Sequence, residues 1–470
     1  MKIALCVPEN DLGFSSACAP LNLGHLASYL RKYGEDIDVK IFDGMANQNV
    51  EKLLFEFQPD IVGVTAVTPQ APAAYRLLDG LKTNRPDVLT VMGGIHATVM
   101  PNEALEHASV VVKGEGEIAL LNIVRAFQAG KKVSGIIDGD YVPNLDDIPS
   151  PAWDLIDCDF YLQFFVPFGE LKKPCLSLVT SRGCPFRCRF CWNSVRTFPT
   201  RYFSPQRIVD EITYFIEKHH IKSIFFNDDE FVVNKKRLKE LAVLFEQTGI
   251  NKKISWGCQA RVNSLDLSTL QLMRKMNCVV ISCGFESAIP RVLKYLKCGT
   301  VTVQQNERPL PLAHKAGILI GGSFIFGTPT ETLEEMKSSL KWFEDQDMLK
   351  FIGINTIVPF PGTPVWNLAK AKGYLPDKVD YARLIPPTIP EKTYLIDKAV
   401  THKVYNRFFH DIQRVTWLIT QVRETPHWKR FLRLMLTQTF WKILILHPAT
   451  VFRLAKKITN GTLRDMNIRS

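Results

Sequence analysis

Three thiols fall within eight residues of one another: Cys184, Cys188 and Cys191, spaced Cys-x3-Cys-x2-Cys in the run Thr180-Ser181-Arg182-Gly183-Cys184-Pro185-Phe186-Arg187-Cys188-Arg189-Phe190-Cys191. Thiolates are soft ligands, and a 4Fe–4S cluster normally takes four of them. The next cysteine along is Cys258, so this loop supplies three. A cluster held by three cysteines leaves one iron open to a small molecule. Gly183 and Pro185 suit a chain wrapped closely round a cluster, and Phe190 can shield it from water. A zinc knuckle is the competing reading. Zinc motifs come as two Cys-x2-Cys pairs or add histidines at fixed offsets, and no such partner follows here.

The rest of the chain must position that loop. With 470 residues, 46% hydrophobic and 22% charged, it can hold two or three domains with sizeable cores. The start, Met1-Lys2-Ile3-Ala4-Leu5-Cys6-Val7-Pro8, has no secretory pattern, and the eleven cysteines are odd in number and scattered outside the triplet. Both features fit a reducing compartment, with the cytoplasm as the default. The net charge of +11 sits almost wholly in residues 401–470, which carry thirteen Lys or Arg against three acids. The remaining body is close to neutral, which argues against a nucleic-acid partner.

Over residues 1–130 short apolar runs (Ile3–Val7, Ile37–Phe42, Ile61–Ala66, Val88–Met92, Val110–Val112) alternate with amphipathic segments near 21–33, 49–57, 70–83, 101–107 and 117–129. This alternation predicts a parallel sheet covered on both faces, with ligands at the carboxyl ends of its strands. Those ends read Thr65-Ala66-Val67-Thr68-Pro69, Gly93-Gly94-Ile95-His96-Ala97-Thr98 and Lys113-Gly114-Glu115-Gly116-Glu117. Glycines there let backbone come close to a large planar ligand, although tight turns in any such fold also use glycine. Residues 131–172 break the pattern, and the acidic, proline-rich Asn144–Trp153 reads as an ordered connector. A second alternation follows, with strands predicted at 175–181, 222–227, 253–258, 278–284, 318–326 and 351–358, and helices near 205–219, 235–247, 266–275, 330–346 and 364–372. Pro309 and Pro311 speak against a helix over 301–316.

The cysteine triplet, with Phe190 before its last member, resembles the signature of the radical S-adenosylmethionine (SAM) superfamily, and the preceding domain resembles the cobalamin-binding domain of its B12-dependent branch. The likeness covers roughly residues 1–375. It implies an α/β chain built of a Rossmann-like cobalamin-binding domain (1–132), a linker (133–172), a partial (β/α)6 barrel (173–375) and a mostly helical, basic C-terminal region (376–470). It also implies three cofactors, a 4Fe–4S cluster on Cys184, Cys188 and Cys191, SAM, and cobalamin. Candidate SAM-binding residues are Phe190, Asn227, Asp228, Asp229 and Glu230 after the second barrel strand, Arg261 after the third, Glu286 and Ser287 after the fourth, and Gly327 after the fifth. Arg261 would pair with the methionine carboxylate and Glu286 with the ribose hydroxyls. Cobalamin would lie against Thr65, Thr68, Gly93, Gly94, His96, Gly114, Glu115 and Glu117. The Asp-x-His-x-x-Gly motif of histidine-ligated cobalamin is absent, so an open lower face of the cobalt is expected.

The activity implied is reductive cleavage of SAM and modification of an unactivated carbon, foremost C-methylation of a small molecule or lipid. Cyclisation, ring rearrangement or C–C coupling without methyl transfer is the alternative, and a non-enzymatic cobalamin or iron–sulfur sensor is a third reading from another class. A flavodoxin, ferredoxin or reductase would supply the electron. The tail beyond residue 376 lies outside the resemblance. Its basic residues interleave with Trp417, Trp428, Phe440, Trp441 and Phe452, which reads either as a lid packed on the barrel or as an amphipathic helix at the inner face of a membrane.

Overall fold

A computed structural model describes residues 1–9, 18–46, 48–164, 170–385, 394–396, 400–424, 434–448, 450–452 and 454–456. The chain divides into two units. The first comprises Met1–Gln259, Lys275–Val279 and Pro359–Ile385, and the second Ala260–Arg274, Val280–Val358 and Pro386–Ser470.

In the first unit the apolar runs become β1 (Lys2–Val7), β2 (Asp38–Asp43), β3 (Ile61–Thr65), β4 (Leu89–Gly93) and β5 (Val110–Gly114), joined by α1 (Leu21–Tyr33), α2 (Val50–Phe57), α3 (Ala71–Asn84), α4 (Gly94–Val99) and α5 (Pro101–His107). Helix α6 (Glu117–Gln128) leads to a strand the sequence did not announce, β6 (Gly135–Gly139), within the stretch read as connector. The strands are parallel in the order β2-β1-β3-β4-β5-β6. Because the order reverses between β1 and β3, a crevice opens at their carboxyl ends. Ile3, Leu5, Val39, Ile61, Val91 and Val110 pack with Leu23 and Leu30 of α1 and Leu120 and Val124 of α6 to form the core.

The same unit continues through α7 (Cys158–Phe164), β7 (Cys175–Leu178), the antiparallel pair β8 (Ser181–Arg182) and β9 (Arg201–Tyr202), α8 (Pro205–His219), β10 (Ser223–Phe226), α9 (Lys235–Thr248), α10 (Ile250–Lys253) and β11 (Ser255–Ala260). Parallel β10 pairs with both β7 and β11. Local caps explain where the helices begin. The Ser204 side chain accepts the Arg207 N–H ahead of α8, with Pro205 at its first position, and Asn234 does the same for α9 with Arg237.

The second unit carries α11 (Leu267–Lys275), β12 (Cys278–Glu286), α12 (Pro290–Leu296), α13 (Val303–Glu307), α14 (Pro309–Ala316), β13 (Leu319–Phe326), α15 (Leu333–Asp345) and β14 (Leu349–Thr356), with β13 parallel to both β12 and β14. The segment 301–316 is helical after all. Pro309 takes the first position of α14 and Pro311 stays in its first turn, where a missing N–H costs nothing, so the prolines divide two helices and break neither. Reciprocal capping boxes, Thr302 with Gln305 and Thr332 with Glu335, start α13 and α15. Beyond α16 (Pro364–Ala371, in the first unit), α17 (His402–Glu424) lies on β14 and buries Tyr405, Phe408, Phe409, Ile412, Val415 and Ile419. These recur at helical spacing, and the Tyr405 hydroxyl donates to Thr356 Oγ1 at 2.9 Å. A last short helix, α18 (Gln438–Leu446), packs on α17. Trp428, singled out in the tail, lies outside the described residues.

Candidate functional site

The crevice predicted by the strand order is a cavity of about 340 Å³ in the first unit. Leu5 of β1, Thr65 of β3, Gly93 and Gly94 after β4, Gly114, Glu115 and Glu117 after β5, and Asn22, His25 and Leu26 of α1 line it. Val179, Arg182 and Phe203, which flank the cysteine loop, complete the wall. Gly94 has φ +91°, and a Cβ there would meet Thr65 Oγ1 at 2.6 Å, so only glycine keeps this backbone open to the cavity. A glycine floor, apolar walls and a few polar groups suit a large, mostly apolar ligand with amide side chains, so the residues present fit cobalamin.

Three ion pairs tie the cavity to the cysteine loop. Arg182 donates to Glu115 at 2.9 Å and to Glu117 at 2.6 Å, and Arg201 pairs with the other oxygen of Glu115. Burial alone would push the Glu117 carboxyl up, but the facing guanidinium more than offsets this and holds it below the usual carboxylate range. His25 lies 5.6 Å from the Phe203 ring, stacked, with Nδ1 3.1 Å from the Pro149 carbonyl. Burial, reinforced by Arg182, lowers it to about 3, so the ring is neutral at physiological pH. A carbonyl only accepts, so Nδ1 carries the proton and Nε2 is an acceptor.

Two residues expected at cobalamin lie elsewhere. His96 and Thr68 are not part of the cavity wall and form a separate buried cluster. His96 Nε2 is 2.8 Å from Tyr75 Oη, Nδ1 is 3.4 Å from Thr68 Oγ1, and the Tyr381 ring meets the imidazole edge-on. Burial lowers His96 to about 4. It is a neutral core histidine closed in by hydroxyls.

The cysteine loop is braced from within. Asn193 Oδ1 accepts the Cys184 N–H at 3.1 Å and the Arg196 Nε–H at 3.0 Å, while the Arg196 guanidinium also reaches the carbonyls of Cys184 and Pro199 at 3.0 and 2.8 Å and that of Phe198. Gly183, at φ +87°, leaves the space in which Arg196 sits, and a Cβ there would lie 2.2 Å from the guanidinium carbon. Burial, with Glu230, Asp229 and Cys191 adding to it, raises the Cys184 thiol to about 11. Cys191 is likewise raised, by burial, Asp229 and Cys188. The three sulfurs and the two acids after β10 therefore share one electrostatic neighbourhood. Iron would lower these thiols, since only the thiolate binds it. Among the described residues no three His, Cys, Asp or Glu side chains converge as ligands of one ion. Cysteines on separate irons of a cube need not converge so closely, and the loop fits a 4Fe–4S cluster.

The remaining SAM candidates separate into open and closed groups. Asp229 is exposed and Phe190 half-buried. Asn227 Nδ2 contacts Cys18 Sγ at 3.2 Å and Ser177 Oγ at 3.3 Å. Asp228 is fully buried and accepts from Thr180 N and Oγ1, both at 2.5 Å, and from Ser181 N at 3.1 Å, with Arg237 Nη2 at 3.7 Å. It anchors the strand entering the cysteine loop and offers no oxygen to a ligand. Glu230 is also buried and caps Val232 N at 3.2 Å. Within the second unit, Glu286 (φ +64°) pairs with Lys297 at 2.8 Å, both buried, and Arg261 Nη2 bonds Thr300 Oγ1. Ser287 is buried, with Oγ taking the Ile289 N–H. Gly327 turns at φ +76° beside the Tyr405 ring. Sequence reasoning missed Asn22, His25, Arg182, Arg201 and Phe203. Their contacts span 65 residues or more in the two Arg182–Glu117 and Arg201–Glu115 pairs, and no local pattern marks such partners.

Comparison with known proteins follows this geometry. Residues 178–343 match the family described as the radical SAM superfamily, and residues 14–124 match the B12 binding domain. An uncharacterized methyltransferase of Pyrococcus horikoshii is 34% identical over 402 residues, covering 80% of this chain and 84% of its own. The anaerobic magnesium-protoporphyrin IX monomethyl ester cyclase of Cereibacter sphaeroides is 30% identical over 445 residues, 87% of this chain and 70% of its own. Among solved structures, the radical S-adenosylmethionine methyltransferase TsrM from Kitasatospora setae shares the fold, with a TM-score of 0.66 at 18% identity over 87% of this chain and 83% of that one.

Proposed function

The chain belongs to the cobalamin-dependent radical SAM enzymes, and from that premise we propose that it transfers a methyl group to an unactivated carbon of a small, largely apolar substrate. Its cofactors are a 4Fe–4S cluster, SAM and cobalamin. When bound, these supply an electron, a reactive carbon centre and a carried methyl group. The chain's share is to hold and orient them and to keep water out. Cys184, Cys188 and Cys191 would hold the cluster, braced by Asn193 and Arg196. Asp229 and Phe190 are the residues beside it best disposed to meet SAM. Glu115 and Glu117, fixed by Arg182 and Arg201, would present cobalamin to the same loop.

The observation that carries this reading is Arg182, which lies two residues before Cys184 and bonds both glutamates of the cavity. The residues suited to cobalamin and those suited to the cluster are thereby joined by one side chain, as a two-cofactor reaction needs. The methyltransferase relative supports methylation. The cyclase relative, similar over 87% of the chain, favours a second reading in which the same cofactors close a ring by removal of hydrogen. A flavodoxin or ferredoxin would serve as reductant.

Anaerobically reconstituted protein, given cobalamin, SAM and reductant, should release 5′-deoxyadenosine. Extracts of a deletion strain should contain a metabolite that gains one methylene unit on incubation with this mixture. A product that loses two hydrogens instead would overturn methylation in favour of ring closure. Intact SAM under strong reductant would overturn both.

A further inference from the structure

Among the described residues of the tail, many apolar side chains are accounted for by packing. Helix α17 covers β14, Phe440 and Ile443 of α18 are buried, and so are Val451 and Leu454 beyond it. A second set is not. Trp441 is 51% exposed, Ile445 77% and Phe452 67%. Trp441 and Ile445, four residues apart, share the outward face of α18, and beyond its end at Leu446 the side chains of Pro448 and Phe452 are exposed as well. Lys442, next to Trp441, and Lys456, four residues after Phe452, are exposed too. From Thr425 to Arg464 the sequence holds eight Lys or Arg and no acid.

An ordinary helix on a water-facing surface turns its polar residues outward. Here both faces are apolar, and the outer one is edged with positive charge. A second copy of the chain would bring Lys442 and Lys456 of its own against this face, which like-charge repulsion opposes. An anionic surface complements it. Tryptophan and lysine together suit the boundary between headgroups and acyl chains, where the ring is half-solvated and the ammonium meets phosphate. Among the described residues no helix is long and apolar enough to cross a membrane, so contact would be in the plane. We propose that the exposed apolar side chains of Trp441, Ile445 and Phe452, together with Lys442 and Lys456, seat the second unit on an anionic lipid bilayer.

The proposal concerns binding alone, so it stands or falls apart from the methyl-transfer reading. The test is flotation of the full-length protein with vesicles of equal phosphatidylglycerol and phosphatidylcholine at low salt, beside pure phosphatidylcholine. Binding to the anionic vesicles should be at least about tenfold tighter and should weaken as salt is raised. The triple variant W441S/I445S/F452S should lose about tenfold in binding, and K442E/K456E should lose the preference for anionic lipid. Because these side chains are exposed, both variants should elute as the parent does in gel filtration. Failure of the parent to float at low salt would overturn the proposal, as would unchanged flotation of the triple variant. So would a dimer, seen by light scattering, that the triple variant dissolves while vesicle binding is absent.

Discussion

Replacing Arg182 by methionine isolates the pairing on which the first unit's site depends. The side chain of Arg182 is 20% exposed, that of Glu115 10% and that of Glu117 4%. In R182M, Glu115 keeps Arg201, but Glu117 is left buried with no cation against it. Removing one partner of a buried pair typically costs about 3 to 5 kcal/mol, and the residual exposure of Arg182 puts the expected loss near the low end, about 3 kcal/mol. The pH dependence carries the sign. The folded-state value of Glu117 is depressed, so its contribution is present above the ordinary carboxylate range and is lost as pH falls through the depressed value. In R182M burial, the largest influence, no longer faces a guanidinium and raises that value, so the variant should be most impaired at neutral pH and should approach the parent near pH 4. The double variant R182M/E117Q should regain most of the loss, because an amide does not need a countercharge. Urea unfolding followed by fluorescence at pH 7 and pH 4, with equilibrium dialysis of cobalamin, measures both effects. A variant as stable as the parent at pH 7, or one that E117Q makes worse, would refute the argument.

Other expectations rest on single contacts. D228A removes the acceptor for Thr180 and Ser181 and strands Arg237 in the core, so it should cost about 3 to 5 kcal/mol and lower the iron bound per chain on anaerobic reconstitution, whereas D229N should leave stability unchanged. Burial raises Glu331 to about 8. Its stability contribution is therefore full below the ordinary carboxylate range and lost as pH rises through about 8, and E331Q should flatten that alkaline decline in melting temperature. Substituting any one of Cys184, Cys188 or Cys191 by alanine should abolish the iron and sulfide retained on reconstitution and SAM cleavage while leaving cobalamin binding within about twofold.

How far the sequence foretold this arrangement depends on the range of the interactions. The cysteine spacing, the strand–helix alternation and the glycines at strand ends are local, and each was legible. Gly94 illustrates this: its place after an apolar run marked a close approach, and the backbone there has the positive φ that requires it. Asp228 and His96 were misplaced because an acid or imidazole at a strand end reads alike whether it turns to ligand or core. Only the three-dimensional neighbours, Thr180 with Arg237 and Tyr75 with Thr68, decide between them. Pro309 misled because a proline inside a helix and one at its first residue are the same letter. The short β6, Gly135–Gly139, bounded by glycines and with only alternate residues partly buried, carries too little apolar signal to stand out.

The two units are interleaved along the chain, and this shapes how a ribosome must deliver them. Residues 359–385 belong to the first unit, although most of the second is made before them. The nascent first unit thus lacks residues 359–385 until β12, β13 and β14 of the second have been made, and β14 has no α17 to cover it until later still. Synthesis cannot hand over one finished body and then the other.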